Sequence, residues 1–225
     1  MSKNIAIDGP AGAGKSTIAK LIAKKLGYIY VDTGAMYRAM ALFLIRRNIS
    51  PDDTERLEAA CEEAEISIAF ENGMQVVLLF DENVNGLIRT EEVSQMASKS
   101  SANAKVRKKL VALQQSLAAK SDVVMDGRDI GTVVLPDAFL KIFLTASSEE
   151  RAKRRYKELS DKGVDCNYDE ILKDIVERDH RDMTRDNSPL VQAEDAIYLD
   201  SSDLSIEEVA DKVIGLLNEK SEVTV

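Results

Sequence analysis

Residues 9 to 17, Gly9-Pro10-Ala11-Gly12-Ala13-Gly14-Lys15-Ser16-Thr17, satisfy the spacing G-x-x-x-x-G-K-[ST]. An apolar run precedes them and helical periodicity follows, the context that separates a phosphate cradle from a chance glycine cluster. Small residues let successive backbone N–H groups turn inward onto phosphate oxygens, and the positive end of the next helix strengthens the attraction. Lys15 is then placed to reach β- and γ-phosphates. The Ser16 hydroxyl is placed to enter the shell of a Mg2+ ion that keeps most of its waters. The chemistry implied is nucleoside triphosphate binding, with all nine residues as candidate contacts.

Asp126-Gly127-Arg128-Asp129 follows a second apolar run. At the tip of a strand, Asp126 could hold a metal-bound water in the manner of a Walker-B carboxylate, and Gly127 permits a tight departure. The plainer alternative is a local surface pair of Arg128 and Asp129, worth ~0.2–1 kcal/mol. Arg178, Arg181 and Arg185 are three and four residues apart and share one face if a helix runs through them. Arg151, Arg154 and Arg155 form a second cluster. Both could be solvated, salt-bridged faces; beside a transferring phosphoryl group a single arginine can instead contribute 10³ to 10⁵ in rate. His180 is the only histidine, and it sits in a charge run without a nucleophile elbow, so it reads as a solvated side chain. Scarcity of general bases suits a nucleophile that is already anionic, such as a nucleotide phosphate.

These residues need a frame. Asn4–Asp8 reads as a strand buried on both faces, and Ile18, Leu21, Ile22 and Leu26 as a helix stopped at Gly27. Tyr28–Val31 is the next strand, and Asp32 or Thr33 caps a helix through Leu44. Ile66–Phe70, Met74–Phe80 and Val84–Ile88 then read as three short antiparallel strands, an insert spanning roughly 60–89. Helical spacing returns at Val93–Ala97 and Val106–Leu117. Val123–Asp126 and Leu140–Leu144 are further core strands, and Ser147 to Glu150 has capping-box spacing. A helix over Tyr168–Asp179, a strand over Ala196–Asp200 and a helix over Ile206–Leu217 complete the chain. Five strands alternating with helices predict a three-layer α/β/α sandwich around a parallel sheet, with the ligand beyond the carboxyl ends of the strands.

The 225 residues suffice for one large domain, and 44% hydrophobic with 31% charged residues excludes a disordered chain. A net charge of −9 argues against duplex nucleic acid as a partner. Ten of the thirty Lys and Arg lie between Arg151 and Arg185, so a small anion remains a candidate ligand. The longest apolar run, Ala39–Ile45, is far below the ~20 residues of a membrane span, and no signal segment is visible. Cys61 and Cys166 read as two buried free thiols.

The set GPAGAGKST, DTGAMYR, IRTEEVSQMAS, DGRDIGTVV, KIFLTASSEERAKRR and ERDHRDMTR, in this order, resembles the bacterial cytidylate kinases of the nucleoside monophosphate kinase group over essentially the whole chain. The resemblance implies a single P-loop kinase unit over residues 1–225. It implies a monophosphate-binding subdomain over about 32–115 that carries the β insert, and a lid over about 155–185. Thr33, Arg38, Ser98, Arg107, Arg128, Asp129, Asp182 and Arg185 match the positions that hold CMP. Arg38, Arg107 and Arg128 would grip its phosphate, while Ser98, Asp129, Asp182 and Arg185 would read base and sugar. Thr33 stands where some relatives carry serine, with the hydroxyl retained. Arg151, Arg155, Arg178 and Arg181 are similar to lid arginines, and with Lys15 and Arg128 form the implied catalytic set. Ser16 and, through water, Asp126 would hold Mg2+. The implied reaction is phosphorylation of CMP or dCMP by MgATP in a cytoplasmic monomer. Kinases for UMP, dTMP or a small metabolite such as shikimate are the enzymatic alternatives. A regulatory ATPase is the alternative from another class.

Overall fold

The computed structural model describes residues 3–223. β1 (Ile5–Asp8), α1 (Lys15–Leu26), β2 (Ile29–Asp32) and α2 (Thr33–Arg46) follow one another as the apolar spacing requires. Gly27, with φ +69, ends α1 in the left-handed conformation that glycine adopts at least cost. The Asp32 carboxylate accepts the Ala35 N–H at 3.0 Å and starts α2. The later core elements are β6 (Val123–Gly127), β7 (Leu140–Thr145), α6 (Ser148–Asp161), α7 (Tyr168–Thr184), β8 (Ile197–Asp200) and α8 (Ile206–Val223), after an intervening segment described below.

The five strands pair in the order β2-β6-β1-β7-β8, all parallel. Alternation along β1 splits the core into two layers. Ile5 and Ile7 pack with Ile18 and Ile22 of α1 and Val209 and Val213 of α8. Ala6 faces Met36, Met40 and Leu44 of α2 on the other side. Each such large apolar side chain, fully buried, contributes about 1.5–3 kcal/mol. The register sets Asp8 opposite Gly127 and Asp32 opposite Asp126, so three carboxylates lie at or one residue before the ends of their strands along one sheet edge.

Between α2 and β6 lie α3 (Thr54–Glu63), β3 (Ile66–Glu71), β4 (Met74–Leu79), β5 (Glu82–Asn83), α4 (Glu91–Ser100) and α5 (Ala104–Ala118). The β3–β4 hairpin turns at Asn72 and Gly73, both at positive φ (52° and 75°), as a two-residue turn requires. Two expectations are corrected here. The antiparallel strands span Ile66–Asn83, narrower than residues 60–89, because Leu57, Ala60 and Cys61 bury one face of α3 and carry the helix to Glu63. Val84–Ile88 is a turn and not a strand. Val84 and Ile88 are apolar because they plug the core, and the Asn85 side chain takes over the strand's bonding. Its Oδ1 accepts the Val77 N–H at 3.0 Å and its Nδ2 donates to the Gln75 carbonyl at 2.9 Å.

Only half of the predicted capping box forms. Ser147 Oγ accepts the Glu150 N–H at 3.1 Å, while the Glu150 carboxylate turns to Arg154. Cys61 is buried as expected, but Cys166 is only half-buried, in the link between α6 and α7. After β6 the chain makes a five-residue π-helical turn, Ile130–Val134, that sequence spacing did not indicate.

Candidate active site

The phosphate loop is fixed by packing as well as by backbone freedom. Gly9 has φ +147, and a Cβ there would lie 1.9 Å from the Leu144 carbonyl oxygen of β7. Gly14, at φ +83, leads into α1, whose first residue, Lys15, is buried. Lys15 Nζ donates to the Pro10 carbonyl at 2.6 Å. Desolvation, with Arg128 nearby, pushes its ammonium pKa well below the usual lysine range. Arg151 braces the loop from α6: Nη1 donates to the Ala11 carbonyl and Nε to the Ala146 carbonyl, both at 2.9 Å, and Nη2 pairs with Asp179 of α7 at 2.5 Å.

Beside the loop, Ser16 Oγ donates to Asp126 Oδ2 at 2.9 Å and Tyr30 Oη to Asp126 Oδ1 at 2.8 Å. Burial, and then the Asp32 carboxylate, raise the Asp126 pKa. A buried carboxylate crowded by another needs a cation. Adjacent hydroxyl and carboxylate oxygens are the hard donors that Mg2+ takes when most of its shell is water and phosphate, so these two residues fit that ion.

The acceptor end of the cavity is assembled from distant segments. Thr33 Oγ1 donates to the Asp126 carbonyl at 2.7 Å, tying the start of α2 to β6. Arg128 and Asp129 do not pair with each other. Arg128 Nε donates to Asp182 of α7 at 2.7 Å, and Arg107 of α5 pairs with Asp129, both side chains being buried. Gly127 leaves room at this bend for the Ile130 side chain, since a Cβ there would lie 2.6 Å from Ile130 Cδ1 and 3.0 Å from the Thr33 hydroxyl. Arg185, at the end of α7, donates through Nε to the Ser188 carbonyl at 2.8 Å.

One cavity of about 220 Å³ joins the two ends. All eight residues matched to CMP line it: Thr33, Arg38, Ser98, Arg107, Arg128, Asp129, Asp182 and Arg185. Lys15, Ser16, Asp126 and Arg178 complete the wall toward the phosphate loop. Six cationic side chains here face four carboxylates, Asp32, Asp126, Asp129 and Asp182, a local excess of positive charge in a chain of net charge −9. Arg38, Arg178 and Arg185 form no ion pair among the described residues. Burial pushes the Arg38 and Arg185 guanidinium groups below their usual range. Burial, reinforced by Arg128, pushes Arg178 down to about 10. Burial alone would raise Asp182, but Arg128 holds it below the usual carboxylate range. Such cations are stabilised by an anion entering the cavity.

Three predicted catalytic arginines do not line the cavity: Arg151 braces the phosphate loop, Arg155 is exposed and pairs with Glu158 at 2.9 Å, and Arg181 is exposed on α7. Arg154 donates to the Ser201 carbonyl at 2.8 Å, and His180 is exposed, as expected of a solvated side chain. Sequence reasoning passed over several residues at the site. Tyr30 holds Asp126, and Arg89 pairs with Asp32 at 2.7 Å. Gln75 of β4 brackets the Asp32 backbone, accepting its N–H at 2.8 Å and donating to its carbonyl at 3.1 Å. The cavity-lining Tyr37 stood inside a quoted motif, which was the one available signal.

Residues 5–219 match the family model described as Cytidylate kinase. A protein named "Cytidylate kinase" from Caldicellulosiruptor bescii is 56% identical over 95% of this chain and 94% of its own length. One of the same name from Bacillus subtilis is 48% identical, covering 97% of each chain. Among solved structures, a gluconokinase from Sinorhizobium meliloti 1021 shares the fold with a TM-score of 0.51 at 14% identity, over 98% of this chain and 94% of the other. A shikimate kinase from Bacteroides thetaiotaomicron does so with a TM-score of 0.50 at 15% identity, over 96% and 98%. Together with the phosphate loop and the arginine-rich cavity beside it, the match over nearly the whole length places this chain in the cytidylate kinase family.

Proposed function

We propose that the chain transfers the γ-phosphoryl group of ATP to a phosphate oxygen of CMP or dCMP, giving ADP and CDP or dCDP. The observation that carries this reading is one cavity that joins a phosphate loop to the half-buried Arg38, Arg178 and Arg185, which form no ion pair among the described residues, and to Arg107 and Arg128, which are paired with Asp129 and Asp182. The acceptor is already anionic, so the protein's work is positioning and charge neutralisation.

Lys15 would exchange the Pro10 carbonyl for β- and γ-phosphate oxygens. Arg38, Arg107 and Arg128 would hold the acceptor phosphate, while Ser98, Asp129, Asp182 and Arg185 read base and sugar, with the Thr33 hydroxyl beside them. Arg178, which lies between both ends, would neutralise the group in transit. Ser16 and, through water, Asp126 would hold Mg2+, which when bound offsets charge on the phosphate oxygens.

Residues 155–185 would act as the lid and about 32–115 as the acceptor subdomain. In the present arrangement α7 is tied to the rest by Asp179–Arg151 and Asp182–Arg128, so lid movement must exchange both ion pairs. Closure around both substrates would exclude water, the competing nucleophile. One chain supplies every group invoked, so a monomer suffices. Among the described residues no helix is long and apolar enough to cross a membrane.

The reading is tested by coupled ADP release with CMP, dCMP, UMP, AMP and dTMP in turn. Turnover is expected to be highest with CMP and dCMP. Turnover highest with UMP or dTMP, or independent of any acceptor, would overturn it.

A further inference from the structure

Asp8 closes β1 directly before the phosphate loop, yet its carboxylate serves a different segment. Oδ1 accepts the Ile130 N–H and Oδ2 the Gly131 N–H, each at 2.7 Å. These are the first two N–H groups of the π-helical turn, which has no partner for them within itself. The residue that ordinarily supplies a capping acceptor is the one just ahead, here Asp129, of a type well suited to the task. Asp129 makes no capping bond. Its side chain is turned instead onto Arg107 and into the cavity.

We propose that Asp8 is a positioning residue for the acceptor nucleotide: by capping the Ile130–Val134 turn from the neighbouring strand, it releases Asp129 to face Arg107 and the acceptor and fixes Arg128 beside it. The inference rests on the reading of the cavity as a CMP site. Space at the contact is tight, as a Cβ on Gly131 would lie 3.1 Å from Lys141 Cδ and 3.4 Å from Asp8 Oδ2. Removing the acceptor from Asp8 leaves two N–H groups that Asp129 can satisfy only by turning out of the cavity. The neighbouring charges that act on Asp8 are Asp129 and Lys15.

The test is steady-state kinetics of Asp8→Asn, Asp129→Asn and the double variant, after wild-type turnover with CMP has been measured. Absence of that turnover would sink the reading of the cavity and this inference with it, whereas the outcomes for the variants bear on Asp8 alone. Asp8→Asn keeps the side-chain shape but points an amide NH2 at one of the two donors. It is expected to raise the KM for CMP about tenfold and leave the KM for ATP within about twofold. If Asp8 acts through Asp129, the double variant exceeds the worse single variant by no more than about twofold. Multiplying effects, or equal rises in both KM values, would overturn the proposal, since a merely structural loss gives those results. Should Asp8→Asn fail to melt cooperatively, Asp8→Glu, which keeps the charge but displaces the carboxylate from the two N–H groups by one methylene, carries the same comparison with the same expected outcome.

Discussion

Ser16 Oγ donates to Asp126 Oδ2 at 2.9 Å, joining the first turn of α1 to the tip of β6 across 110 residues of sequence. In the proposed reaction these two oxygens would receive Mg2+, while Tyr30 occupies the other Asp126 oxygen. Asp126→Asn removes the negative charge and keeps the shape. It is expected to lower kcat about 10²-fold and to raise the Mg2+ concentration needed for half-maximal rate. Titration of rate against free Mg2+ checks this; an unchanged requirement would remove Asp126 from the metal's surroundings.

Arg38 lies in the cavity and forms no ion pair among the described residues, desolvated and close to Asp32 and Arg89. Arg38→Ala is expected to raise the KM for CMP by tenfold or more, in the range of a lost charge-assisted hydrogen bond, with the KM for ATP within about twofold. Equal shifts in both constants would place its guanidinium group away from the acceptor.

Gly9 has no room for a side chain, because the Leu144 carbonyl would sit 1.9 Å from its Cβ. The displaced group is strand backbone, which cannot rotate aside. Gly9→Ala is therefore expected to cost more than about 3 kcal/mol and to lower Tm steeply. Gly73→Ala, with nothing within 4 Å of the added Cβ but φ +75, should lose only about 1 kcal/mol. Thermal or urea unfolding of both variants checks the contrast.

Asp8 titrates against the fold. Burial raises its carboxyl from 3.8 to about 6, with the two N–H donors and Lys15 pulling the other way. Between those values the folded state keeps a proton that the unfolded chain has released, so this group's contribution to stability falls as pH rises from about 4 to 6. The loss by pH 7 is about 3 kcal/mol, at 1.36 kcal/mol per unit. Asp8→Asn removes that dependence. In urea unfolding from pH 4.5 to 7.5, its stability relative to wild type should improve up to a little above pH 6 and then level off, and a difference flat throughout would contradict the assignment.

Much of this was legible because periodicity and turn chemistry agreed. The run from β1 through α1 carries a buried strand, a glycine loop and a helix ended by Gly27, each signal local in sequence. Val84–Ile88 misled because apolar residues that plug a core look like a strand when the partner of β4 is a side chain, Asn85. Helix α3 was missed because only Leu57, Ala60 and Cys61 of its ten residues face inward. The π-helical turn depends on Asp8, 122 residues away, and the Asp32 bracket on Gln75. Contacts of that kind leave no spacing to read. At the site, the motifs brought forward every residue matched to CMP except Arg107, which lies between two of them, whereas Arg155 and Arg181 shared the charge pattern of Arg178 but not its burial.

The account turns on where the phosphoryl group goes. Incubation of the protein with Mg2+, ATP and CMP, followed by 31P NMR, should show ATP resonances converting to those of ADP and CDP in equal amounts. Lys15→Ala should slow that conversion by orders of magnitude while the chain stays folded. Release of inorganic phosphate in place of CDP, or conversion at an undiminished rate without Lys15, would contradict it.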